Sequence, residues 1–149
     1  MKKLKIKWQR LLSDGQTCSR CASTDEEIER ATYILKQILT PLGIEVVTEK
    51  VELSPIEFSK NPLESNRIWV GDRPLEEWVN GEVGQSPCCD ACSPYNCRTV
   101  EVEGKIYETI PADLIVKAGL LAASKLINSG KNESCCRNGA STNCCNKQT

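Results

Sequence analysis

Histidine is absent from this chain. Its absence removes the side chain that titrates near neutral pH and the commonest nitrogen ligand for metals. No apolar run is long enough to cross a membrane. Nothing at the N-terminus resembles a secretory signal, because Lys3, Lys5 and Lys7 interrupt the apolar residues Leu4, Ile6 and Trp8. The formal net charge is −1, so no whole-molecule field attracts nucleic acid. A Gly-rich phosphate loop, a paired-carboxylate site and a Ser/His/Asp arrangement are all missing. These absences exclude the common nucleotide-binding and hydrolytic classes. They also lead to the expectation of a cytoplasmic protein without membrane or nucleic-acid partners.

Cysteine is plentiful by contrast. Ten fall in three groups: Cys18 and Cys21; Cys88, Cys89, Cys92 and Cys97; Cys135, Cys136, Cys144 and Cys145. Outside a cell such a set would form a disulfide framework. In a reducing compartment it supplies redox groups or soft-metal ligands.

At 149 residues, 40% of them hydrophobic, the chain suits one domain with appendages. Residues 3–12 alternate with a strand's period of two. A turn at Asp14-Gly15 leads to Cys18-Ser19-Arg20-Cys21. The spacing predicts a helix from Ser23 or Thr24, each with a glutamate three residues on. Ile28, Ala31, Ile34, Leu35, Ile38, Leu39 and Leu42 mark its apolar face, and Pro41 and Gly43 end it. Residues 44–53 predict a second strand, so the chain opens β-α-β with parallel strands. A short strand follows at 67–70. Residues 80–97 predict an irregular Cys-rich insertion. A hairpin then turns at Glu103-Gly104, and a largely buried helix starts at Pro111. Apolar periodicity ends near Ile127, which sets a domain over residues 1–127. Residues 128–149 hold five Asn, four Cys and nothing large and apolar, the composition of a flexible tail.

This order of elements, an α/β fold with a central mixed sheet, resembles a thioredoxin-like domain. Gly15-Gln16-Thr17-Cys18-Ser19-Arg20-Cys21, Ser65-Asn66-Arg67-Ile68-Trp69-Val70, Cys97-Arg98-Thr99-Val100 and Ile110-Pro111-Ala112 further resemble one family of such domains, known only as a domain of unknown function. The resemblance implies the fold over roughly residues 3–127. In thioredoxins a cis-proline precedes the third strand beside the thiols and blocks metal capture. Asn66-Arg67 stands there in this chain, which favours ion binding. A second resemblance concerns the tail. Cys135-Cys136, seven residues, then Cys144-Cys145 looks like the end of arsenical-resistance metallochaperones.

The thiol groups admit several chemistries. Cys18 and Cys21 are spaced to form a disulfide, and the helix dipole with Arg20 would favour a thiolate at Cys18. A helix start beyond Cys21 would weaken that redox function. Together with Cys89 and Cys92 the pair would complete a four-thiolate zinc site or, as a minority case, hold an iron–sulfur cluster. Asp90 is expected to be solvated. Vicinal pairs such as those of the tail suit soft ions: As(III), Sb(III), Hg(II) or Cu(I). The leading expectation is therefore a protein that binds and hands on a soft metal or metalloid ion, using Cys18, Cys21, Cys88, Cys89, Cys92, Cys97, Cys135, Cys136, Cys144 and Cys145, with a thiol protein as a possible transfer partner. The alternatives are a dithiol–disulfide oxidoreductase with Cys18 and Cys21 as catalytic residues, and a zinc-stabilised interaction module.

Overall fold

A computed structural model describes residues 2–12, 15, 17–87 and 95–136, with side chains described as far as Asn128. The first strand, β1 (Lys2–Leu11), buries Leu4, Ile6 and Trp8 and exposes Lys3 and Lys5. Helix α1 (Ser19–Leu39) crosses over to β2 (Ile44–Leu53), which pairs parallel to β1 in register from Lys2 opposite Ile44 to Leu11 opposite Leu53. The β-α-β start is thus as expected. A 3-10 turn carrying Pro41 ends the crossover, and Gly43 takes a left-handed φ of 76°, a conformation that costs glycine little. The short helix α2 (Pro55–Lys60) is closed by a reciprocal Ser54/Glu57 capping box. It leads towards β3 (Arg67–Val70), which runs antiparallel to β1 with Trp8 opposite Ile68. A tight turn then adds β4 (Arg73–Pro74), and the sheet order is β2-β1-β3-β4. This mixed α/β arrangement is consistent with a thioredoxin-like domain.

The start of α1 differs from expectation. The helix begins at Ser19, with Cys18 as its N-cap residue. Thr24 does not cap anything. Its hydroxyl donates back to the Arg20 carbonyl at 3.1 Å, a bond of the helix interior. The same oxygen accepts the Ile110 N–H at 3.3 Å, so Thr24 is spent on tying α1 to the segment before the last helix.

The insertion is also more regular than its composition implies. After α3 (Leu75–Trp78) the chain forms β5 (Glu82–Pro87). The expected hairpin forms as β6 (Asn96–Val102) and β7 (Lys105–Tyr107), with positive φ at Glu103 and Gly104. It joins β5 in a separate sheet of order β5-β6-β7 rather than extending the first. Gly84 permits the pairing, because a Cβ there would lie 2.8 Å from Thr99 Oγ1. A buried ion pair, Arg98 with Glu76, fastens this sheet to α3. Burial pushes the Arg98 pKa down from its ordinary value, and the Glu76 charge opposes that shift.

The last helix, α4 (Ala112–Cys136), packs Leu114, Ile115, Ala118, Ala122 and Ala123 into the core. It extends past the expected end at Ile127, since lengthening an existing helix needs no new nucleus. It approaches α1 closely at Gly119, where a Cβ would lie 2.6 Å from Leu35 Cδ1. The atoms in the way are the end of the Leu35 side chain, which is fully buried. Gly119→Val should therefore destabilise the protein by about 2–3 kcal/mol through overpacking, measured by urea unfolding. An unchanged midpoint would mean that the two helices are not in close contact.

Candidate functional site: a buried dithiol

The thiol site lies where β1 ends and α1 begins. Cys18 is the N-cap residue, with extended φ −72° and ψ 161°, and its carbonyl accepts the Ala22 N–H at 2.9 Å. Its side chain makes no cap hydrogen bond to the helix. Cys21 follows in the first turn. Both are thiols rather than disulfide sulfurs, and each is only 1% exposed. Cys18 thus occupies the helix N-terminus, where the unpaired N–H groups and the macrodipole favour a thiolate. The expected weakness of the redox function, a helix starting beyond Cys21, is removed by this placement.

Cys21 is held as a thiol. Its pKa is driven far above the ordinary thiol range, first by its hydrogen bond to Cys18, then by burial, then by the Cys18 charge. The hydroxyls of Ser65 and Thr17 act in the opposite direction. Ser65 Oγ lies 3.7 Å from Cys21 Sγ and accepts the Leu11 N–H at 2.9 Å. Thr17 Oγ1 is buried and close enough to influence Cys21. It makes no hydrogen bond of normal geometry, so Ser65 is the better-defined partner.

Asn66, next to Ser65, is 2% exposed and adopts a left-handed φ of 61°. Its Oδ1 accepts the Trp8 Nε1–H at 3.1 Å, and its Nδ2 donates to the Glu108 carbonyl at 3.2 Å. Arg20 points towards the second sheet. It pairs with the Glu108 carboxylate at 3.2 Å and donates to the Pro87 carbonyl at 3.3 Å. Its charge is therefore shared with Glu108, rather than reserved for Cys18 as the sequence implied.

The remaining cysteines divide as follows. Cys97 is a buried thiol on β6, opposite Ser86. Cys88, Cys89, Cys92 and Asp90 lie outside the described residues. Cys135 and Cys136 fall in the last turn of α4, but their side chains, like Cys144 and Cys145, are outside the description. Among the described residues no three His, Cys, Asp or Glu side chains are grouped to hold a metal. No described helix is long and apolar enough to cross a membrane. Ser65 was not singled out from sequence. The available signal was its position just before β3, the strand next to β1.

A reduced dithiol at the head of the crossover helix defines the class: an α/β protein organised around buried thiols. The chain belongs to the family described as a domain of unknown function (DUF2703), whose model matches residues 4–119. That span takes in Cys18, Cys21 and Cys97 and leaves out the tail pairs. An uncharacterized protein of Archaeoglobus fulgidus is 47% identical over 112 residues, which is 75% of this chain and 82% of that relative. No solved structure matches the chain.

The proton on Cys21 couples the site to stability. A raised folded pKa adds stability that is complete below the unfolded thiol pKa. It is lost as pH rises, because only the unfolded chain then gives up the proton. Above about pH 8.5 the reduced protein should lose up to roughly 1.4 kcal/mol of stability per pH unit on account of Cys21. Denaturant titrations of wild type and Cys21→Ala between pH 7.5 and 10.5 measure this. The variant should show the shallower decline, and equal slopes would refute the assignment.

Proposed function

We propose that Cys18 and Cys21 capture a soft, thiophilic ion of the As(III), Sb(III), Hg(II) or Cu(I) class in the cytoplasm and pass it on. The observation that carries this is a pair of reduced thiols joined by a hydrogen bond and almost closed to solvent. A small ion can bridge two such sulfurs, whereas a bulky protein disulfide must first open the site. With arsenous acid as substrate the balance is simple. The Cys21 S–H protonates one arsenic-bound hydroxide, and a second proton, from Cys18 or from solvent when Cys18 is ionised, protonates another; both leave as water, and two S–As bonds form. No electron is transferred. Asn66 in the place where thioredoxins keep a proline supports the same reading. The tail pairs Cys135-Cys136 and Cys144-Cys145, which resemble those of arsenical-resistance metallochaperones, would act as a delivery arm. Tethering would give them an effective concentration of roughly millimolar order.

One observation favours a second reading. Cys18 at the N-cap with Cys21 as its proton-bearing neighbour suits thiol–disulfide exchange, in which Cys18 attacks and Cys21 resolves.

Arsenite titration under anaerobic, reducing conditions, read by native mass spectrometry, separates the two. A full-length chain with the four tail cysteines changed to serine should retain one arsenic. Adding Cys18→Ser or Cys21→Ser should abolish that retention. Retention by the chain lacking both would overturn the proposal. Reduction of a model disulfide that depends on Cys18, without arsenite binding, would establish the second reading instead.

A further inference from the structure

At the other end of the main sheet, a cavity of about 590 Å³ opens between the start of β1, the β3–β4 turn, α3 and α4. We propose that it binds a small organic anion with an apolar body, a carboxylate or sulfonate carried on an aryl or short acyl group. The thiols are remote from it. Leu4 borders the cavity, while Leu11 meets Ser65 beside Cys21, and seven residues of strand span about 23 Å. The inference therefore stands independently of the ion-binding function.

The volume falls within the range of about 300–1,000 Å³ typical of small-molecule sites. Its walls are apolar: Leu4, Ala122, Leu126 and the indole of Trp78. Trp78 adds no polar demand, because its Nε1–H is already donated to the Val70 carbonyl at 2.7 Å. Gly71, at φ 63°, shapes one wall, where a Cβ would lie 3.8 Å from Ala122 Cβ.

Charge around this apolar space is uneven. Lys3 and Lys125 line it against a single acid, Asp72. Two further cations sit close by. Lys2 donates to the Leu126 carbonyl, and the Arg73 guanidinium lies 5.2 Å from the Trp78 ring centroid. Lys125 Nζ lies at the same 5.2 Å from that centroid, so an indole face holds an ammonium beside the apolar wall. An anion paired with an apolar group matches both halves of the site. A neutral apolar ligand would gain nothing from the lysines, and a cation would be repelled by them.

The reduced full-length protein should bind 1-anilinonaphthalene-8-sulfonate at one saturable site, followed by dye fluorescence. Ala122→Phe, which fills the cavity, should abolish binding. The surface double variant Lys3→Glu/Lys125→Glu should weaken the sulfonate at least about tenfold, as expected for reversing two partly screened charges. It should leave the uncharged analogue N-phenyl-1-naphthylamine within about twofold, since that ligand lacks the charge on which the lysines act. If Ala122→Phe fails to fold, the lysine variant alone decides. Absent or non-saturating dye binding, or binding indifferent to the lysine reversal, would overturn the proposal.

Discussion

The Asn66 side chain ties together the elements that flank the thiol site. The residue's backbone sits in a left-handed conformation that costs a residue with a Cβ on the order of 1–2 kcal/mol. Two hydrogen bonds offset that strain, a buried one from the Trp8 indole and a partly buried one to the Glu108 carbonyl, each contributing roughly 1 kcal/mol net. One side chain thus joins the central strand, the entry to β3 and the segment before α4. It also aims Ser65, its neighbour, between Leu11 and Cys21. Glu108 closes the loop by pairing its carboxylate with Arg20 on the first turn of α1. The Ser65 hydroxyl is thus placed against Cys21, although both sulfurs belong to the hydrophobic core.

That setting explains how the site can stay buried and still react. A protonated cysteine behaves as a small apolar group and is cheap to bury, whereas a lone buried charge is costly. The S–H of Cys21 directed at Cys18 confines charge to the sulfur at the helix N-terminus. Replacing the protons with one ion bound to both sulfurs keeps the interior near neutral. Under the proposed function, the chemistry is the exchange of protons for a soft ion in place.

Much of the main sheet was legible in the sequence. Lys and apolar residues alternating through Trp8, and the helical spacing from Ile28 to Leu39, set strand, helix and second strand directly. The start of α1 was not legible, because Ser23 and Thr24 with Glu26 and Glu27 carry the capping-box spacing. Only the long-range bond from Ile110 shows that Thr24 is occupied elsewhere. The β6–β7 hairpin was legible from Glu103-Gly104, since a two-residue turn is local chemistry. Its sheet was not, because the choice of partner depends on β5 and on the buried Arg98–Glu76 pair. The dithiol was visible as a Cys-x-x-Cys pair. Its contact with Ser65 was hidden by a separation of 44 positions along the chain.

The central claim is that the soft ion sits on Cys18 and Cys21. Footprinting by alkylation tests it most directly. The full-length reduced protein is partly unfolded in mild denaturant, with and without prior arsenite, then treated with iodoacetamide and mapped by peptide mass spectrometry. Arsenite should protect Cys18 and Cys21 together, with protection lost at both when either is changed to serine. Equal labelling of Cys18 and Cys21 with and without arsenite, alongside protection confined to other cysteines, would contradict it.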